Sequence, residues 1–80
     1  MLNIFHNAKS IVVGYAFKSY YFEIETGTDP LRIPCGSDPR TVVDLIHTNS
    51  IAHFDYSNRL MERSTHLTVL IEELNKRAVG

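Results

Sequence analysis

The chain has 80 residues, of which 44% are hydrophobic, and its formal net charge is −1. A chain of this length forms one domain, so residues 1–80 are expected to be a single small domain. The near balance of charges argues against nucleic-acid binding through a generally basic surface, and no apolar run approaches the ~18 residues of a membrane-spanning helix.

A domain of this size buries a small core, and small scaffolds are commonly reinforced by a disulfide, a metal ion or a partner chain. The single cysteine, Cys35, cannot form an internal disulfide, which predicts a reducing, cytoplasmic setting. The four histidines are scattered and lack the close ligand pairs of a zinc site. We therefore expect no metal or other cofactor, and we expect oligomerisation to supply stability.

The first segment leaves two structures open. Leu2, Ile4 and Phe5 are apolar, and the polar stretch that follows them resembles a turn. A short edge strand and a single helical turn fit residues 1–9 equally well.

The next segment predicts a β-hairpin, with strands at about 10–18 and 19–26. Side chains alternate between the two faces of a strand, and here the alternation collects one apolar set: Ile11, Val13, Tyr15, Phe17, Tyr20, Phe22 and Ile24. A turn at Lys18-Ser19 places Phe17 opposite Tyr20. Because Lys-Ser suits a tight turn poorly, we expect a looser loop of about four residues.

A third strand is predicted at about 31–35, after the turn-forming residues that end at Pro30. Pro34 removes a backbone donor from this segment, which restricts the segment to the edge of the sheet. The three strands form an antiparallel meander. A helix follows at about 38–48, because Ser37 or Asp38 can cap it and Pro39 suits its first turn.

The last segment predicts a second helix over about 51–78. Apolar or small residues recur with the 4-3 spacing of a heptad seam, namely at Leu60, Ser64, Leu67, Ile71 and Leu74. Such a helix is ~40 Å long and overhangs a domain of this size, which predicts a homodimer formed through the seam. The competing interpretation breaks the helix near Ser64, with an extended segment after the break. The predicted fold class is α+β: a three-stranded meander packed against two C-terminal helices.

The residues that could carry chemistry do not form a catalytic arrangement. Cys35 precedes a predicted helix, where a thiol can become reactive, but no histidine is positioned as its base. A structural cysteine is favoured, and its reactivity stays open. Glu23 and Glu25 share one sheet face, which is otherwise flat and small, so a solvated acidic surface is the better interpretation. The sequence therefore predicts that the protein is not an enzyme.

Two surfaces could contact a partner. Tyr21 lies on the outer face of the predicted sheet with Glu23 and Glu25, and an exposed aromatic residue can anchor a partner protein. Arg59 and Arg63 form a small basic stripe on the predicted long helix and could contact phosphates.

These features predict a non-enzymatic protein-binding module of adaptor or inhibitor type, homodimeric through its long helix, that contacts an unidentified protein. Small proteins without motifs are frequent in phages and mobile elements, so such an origin is expected by analogy. The alternative is a dimeric nucleic-acid-binding regulator that uses Arg59 and Arg63.

Overall fold

The computed structural model describes residues 3–27, 29–51 and 53–79. A 3₁₀ turn at Asn3–Phe5 is followed, in chain order, by β1 (Ser10–Ala16), β2 (Ser19–Glu25), β3 (Leu31–Gly36), α1 (Pro39–Thr48), β4 (Asp55–Met61) and α2 (Ser64–Val79). The antiparallel meander β3-β2-β1 and the two helices confirm the predicted α+β fold, with the C-terminal helix as the second helix. At the start, the turn favours the helical alternative, and residues 1 and 2 lie outside the described residues.

The turn between β1 and β2 differs from the prediction. It is a tight two-residue turn at Phe17 and Lys18, whose φ angles are 53° and 62°, and it places Tyr15 opposite Tyr20. The expected turn at Lys18-Ser19 and the looser loop were wrong. Positive φ at both central residues is the pattern of a type I′ turn, whose twist matches that of the strands. The pairing shifts by two residues, so every strand residue keeps its predicted face.

The helix expected over 51–78 does not form over its first part. Asp55–Met61 is instead β4, which pairs parallel with β1, and α2 begins at Ser64. The reason is non-local, because β4 pairs with backbone groups on the edge of β1 that the hairpin alone leaves without partners. A break near Ser64 was one of the two alternatives, but the extended segment precedes the break and does not follow it. In the described part of the chain no helix has the length and apolarity needed to cross a membrane.

Both helices pack on the same face of the sheet. α1 contributes Val42, Val43 and Ile46 to the core and α2 contributes Leu70, and three of these side chains are completely buried. They meet the inward side chains of the strands, which are Ile11, Val13, Tyr15, Tyr20, Phe22, Ile24 and Cys35. No described element covers the opposite face of the sheet, so that face is available for contacts.

The start of α1 confirms the predicted cap. The Asp38 carboxylate accepts a hydrogen bond from the Arg40 backbone N–H at 2.9 Å, and Pro39 lies in the first turn. The Arg40 side chain also donates to this carboxylate at 2.9 Å. These hydrogen bonds hold the pKa of Asp38 below its usual range, because they favour the charged carboxylate.

Candidate functional site

The uncovered face of the sheet is organised around a pair of residues on neighbouring strands. Gly14 of β1 lies directly opposite Tyr21 of β2. A Cβ atom at Gly14 would lie 2.4 Å from Cζ of Tyr21. The phenol ring therefore occupies the position that the side chain of any residue other than glycine would fill at position 14. Tyr21 is only 7% exposed although it lies on this face. The ring is thus a fixed part of the surface.

A charged residue completes this surface. The guanidinium carbon of Arg32 lies 4.7 Å from the centre of the Tyr21 ring, a cation–π distance. The Nε atom of Arg32 also donates to Oε1 of Glu23 at 3.0 Å, and the two residues are paired across β2 and β3. An exposed ion pair of this kind contributes little stability. Its main effect is to hold the arginine in place over the ring.

A groove of about 290 Å³ runs along this face at the hairpin tip. We call its lining residues the tip patch, and they are Ala16, Phe17, Ser19, Tyr21, Arg32 and Pro34. Phe17 forms one wall and is 92% exposed. The tip patch therefore combines a prominent aromatic side chain with a mainly apolar groove.

Two hydrogen-bonded contacts hold the tip patch on the rest of the domain. The backbone N–H of Phe17 donates to Oε2 of Glu62 at 3.2 Å, which ties the turn to the connection between β4 and α2. The Ser19 hydroxyl accepts from the backbone N–H of Gly36 at 3.0 Å and donates to the carbonyl of Tyr20 at 2.8 Å. The turn is therefore positioned by the connection between β4 and α2, and Ser19 is positioned by β3.

The structure brings together part of the predicted partner-binding surface. Tyr21 and Glu23 lie close together with Arg32, whereas Glu25 lies at the far end of β2 from the tip. Tyr21 is buried, so it forms the floor of the groove and does not project as the expected anchor. Sequence reasoning missed Phe17, because the alternation assigned it to the core. No sequence signal indicated this, because Phe-Lys is not a typical turn pair and a shift of two residues keeps all strand faces while it places Phe17 in the turn.

The predicted dimer seam is not a stripe on one helix. Leu60 lies in β4 and Ser64 is the first residue of α2. Leu67 and Leu74 are half-buried and pack against the core of their own chain. Ile71 is also half-buried, and the fully buried residue of α2 is Leu70, which was outside the predicted set. Leu67 and Leu74 therefore contribute to packing within the chain, and dimerisation itself stays a prediction.

The basic residues are also distributed differently from the prediction. Arg59 lies in β4 and Arg63 in the short connection before α2, and both are exposed. The expected stripe along a helix does not form. His66, which follows on α2, stacks on the ring of Tyr15 with a centroid distance of 3.6 Å. Contact between the two arginines and nucleic acid stays a prediction.

Cys35 lies in β3 and not at the start of a helix. Its side chain is 9% exposed, and Sγ donates to the carbonyl of Ile33 at 3.5 Å. Burial raises the pKa of the thiol to about 11, so the thiol stays protonated at neutral pH. Because the thiolate is the reactive form, this geometry favours the structural interpretation of Cys35.

A second, larger cleft of about 690 Å³ lies at the other end of the sheet, where α1 ends and β4 begins. Its polar lining includes His6, Lys9, His53 and Asp55. The Nε2 atom of His6 is 3.1 Å from the carbonyl oxygen of Asn49, to which it can donate. Among the described residues no group of three histidine, cysteine or acidic side chains is placed to hold a metal ion.

The floor of this cleft is built from the end of α1. Ser50 adopts a positive φ of 54°, and the N–H of Ile51 donates to the carbonyl of Ile46 at 3.0 Å. The N–H of Ser50 donates to the carbonyl of His47 at 3.2 Å, so the segment forms a Schellman motif. The Asn49 side chain donates to the carbonyl of Leu45 at 2.9 Å. These polar groups thus serve to terminate the helix.

Compared with protein-family models, with curated proteins and with solved structures, the chain finds no match.

Proposed function

We propose that this chain is a small non-enzymatic protein-binding module of adaptor or inhibitor type, and that the tip patch is its contact surface. The observation that supports this most is the state of Phe17, which is 92% exposed and has a φ of 53°. A single exposed apolar residue is common on protein surfaces. Here the exposure coincides with an unfavourable backbone conformation and with a groove.

The turn residues carry a cost that folding alone does not explain. The left-handed conformation costs an L-residue ~1–2 kcal/mol, and glycine or asparagine largely avoids this cost. A type I′ turn is most stable with Asn-Gly, whereas this chain has Phe17 and Lys18. Residues that break a local rule without a structural gain are expected at functional sites.

The surroundings of Phe17 are those of a binding anchor. Aromatic residues next to well-packed pockets dominate the energetics of many protein interfaces. The groove floor is fixed by Tyr21 and Arg32, and the turn is held by Glu62. A preorganised surface loses little conformational entropy on binding. The cytoplasmic setting expected from the single cysteine is part of this proposal.

Site-specific photo-crosslinking tests the proposal. A photoreactive phenylalanine analogue replaces Phe17 in one version of the protein and Val69 in a matched control. Val69 is an exposed apolar residue of α2 that does not line the tip patch. Each version is irradiated in an extract of the source cells, and its adducts are separated by mass.

We expect protein adducts from position 17 and none of comparable yield from position 69. Equal adducts from both positions, or none from position 17, would contradict the proposal. The mass of each adduct also identifies the partner, which separates binding to another protein from self-association.

A further inference from the structure

We propose that the groove of the tip patch receives a segment of a different protein, in which an apolar side chain stands next to an aspartate or a glutamate. This inference rests on the proposed function and names the chemistry of the partner. The apolar side chain packs against Phe17 and Tyr21, and the carboxylate accepts hydrogen bonds from the guanidinium of Arg32.

The first argument is the charge of the groove. Of the residues that form the tip patch, Arg32 is the only charged one. Its Nε atom donates to Glu23 at 3.0 Å, whereas its terminal amino groups have no hydrogen-bond partner among the described residues. Glu23 thus uses one of the several N–H groups of the guanidinium, and the others remain for a second carboxylate. Hydrogen bonds between a guanidinium and a carboxylate are about twice as strong as those between neutral groups.

The second argument is that this guanidinium is held in place before a partner binds. Its carbon lies 4.7 Å from the centre of the Tyr21 ring, and that ring is itself buried. A side chain that is already ordered loses little conformational entropy when it engages a ligand. The Arg32 side chain is also 54% exposed, so a partner can reach it.

The charges further argue that the partner is a different protein. Lys18 is exposed in the turn beside Phe17, and it carries the same charge as Arg32. Two copies of the tip patch facing each other would bring these cations together, and like charges across an interface are unfavourable. A partner segment with a negative charge avoids this repulsion.

Selection from a library of random peptides displayed on phage tests the inference. The purified chain and its Phe17→Asn variant serve as baits, and asparagine is favourable in this turn, so the variant keeps the fold. We expect the peptides enriched on the wild type over the variant to share an aspartate or glutamate next to an aromatic or aliphatic residue. Enrichment without an acidic residue, or no enrichment over the variant, would overturn the inference.

A double-mutant cycle then tests the contact with Arg32 directly. One enriched peptide is synthesised with its acidic residue and with the matching amide, and both versions are titrated into the wild type and into Arg32→Gln. We expect the wild type to bind the acidic version about tenfold more tightly than the amide version. This difference should disappear in Arg32→Gln, and a preference for the acidic version that persists there would overturn the inference.

Two checks accompany the cycle. An exposed ion pair contributes little stability, so Arg32→Gln should fold, and a thermal melt verifies this. Arg40→Gln is the matched control, because Arg40 is also exposed and paired with a carboxylate, that of Asp38, but does not line the tip patch. This variant should keep the wild-type preference for the acidic version.

Failure of this inference can be distinguished from failure of the proposed function. If the enriched peptides carry no acidic residue while position 17 still forms an adduct with another protein in cell extract, the partner has a different chemistry and the proposed function stands. If position 17 forms no adduct with any protein, the proposed function is wrong, and the inference that rests on it fails as well.

Discussion

Replacing Phe17 and Lys18 by Asn and Gly should make the isolated domain more stable. Both residues have positive φ, 53° and 62°, and this conformation costs an L-residue ~1–2 kcal/mol. Asparagine reduces the cost and glycine removes it, while the greater freedom of glycine in the unfolded chain returns ~0.5–1 kcal/mol. We expect a net gain of about 1–2 kcal/mol in the free energy of unfolding. In a domain of this size each kcal/mol raises Tm by ~4–8 °C.

Urea unfolding at low-micromolar concentration measures this gain without a contribution from self-association, which stabilises the folded state by mass action. The matched control is Phe17→Ala. It removes the aromatic ring but keeps the unfavourable backbone, so its stability should stay within ~0.5 kcal/mol of the wild type.

The comparison with the control separates the backbone effect from the loss of the ring. If the Asn-Gly variant is no more stable than Phe17→Ala, the turn carries no backbone cost. The argument that Phe17 is retained for binding would then lose its basis. If the prediction holds, the same variant should be more stable and also deficient in binding at the tip patch.

Three further predictions concern single sites. Gly14→Ala should lower the free energy of unfolding by about 1–3 kcal/mol, because the new Cβ displaces the Tyr21 ring, and the loss should disappear in a Tyr21→Ala background in a double-mutant cycle. Ser50→Gly should raise the free energy of unfolding by about 0.5–1 kcal/mol in urea titrations, since glycine accepts the positive φ at this helix end. The raised pKa of the Cys35 thiol, about 11 in the folded state against 9.0 ordinarily, stabilises the protein below pH 9. This contribution should be lost as pH rises from 9 to 11, by up to about 1.4 kcal/mol per pH unit. The loss should be smaller in Cys35→Ala, where only other groups such as Tyr20, whose pKa burial also raises, still contribute.

The strand faces could be predicted from the sequence, and the turn could not. Alternation assigns residues to faces with a period of two, and a shift of two residues in pairing leaves every face unchanged. The core of the hairpin, including Tyr15 and Phe22, is therefore as expected. Phe17 differs because Phe-Lys carries no turn signal, and an apolar residue that continues an alternating run is assigned to the strand.

The fourth strand was missed because the evidence for it lies elsewhere in the chain. Within residues 51–78 the spacing of leucines favours one helix, and Leu60 fits that spacing. The opposing influence is the edge of β1, whose backbone groups need hydrogen-bond partners. Val12 and Val13 obtain them by pairing with Asp55 and Tyr56 of β4. Local propensity is a weak signal when buried backbone groups of another strand require partners.

The two faces of the sheet differ in how their apolar side chains are buried. One face is covered by α1 and α2, which use their apolar residues within the chain. On the other face Tyr21 covers Gly14, so the large apolar side chain most available for burial is Phe17, at 92% exposed against 45% or less for the other exposed ones described. A partner that buries Phe17 would add apolar burial to a small domain and would oppose the cost of the turn. A partner bound at the tip patch should therefore raise the stability of the wild type, whereas the Asn-Gly variant should be more stable on its own and should gain less from the same partner.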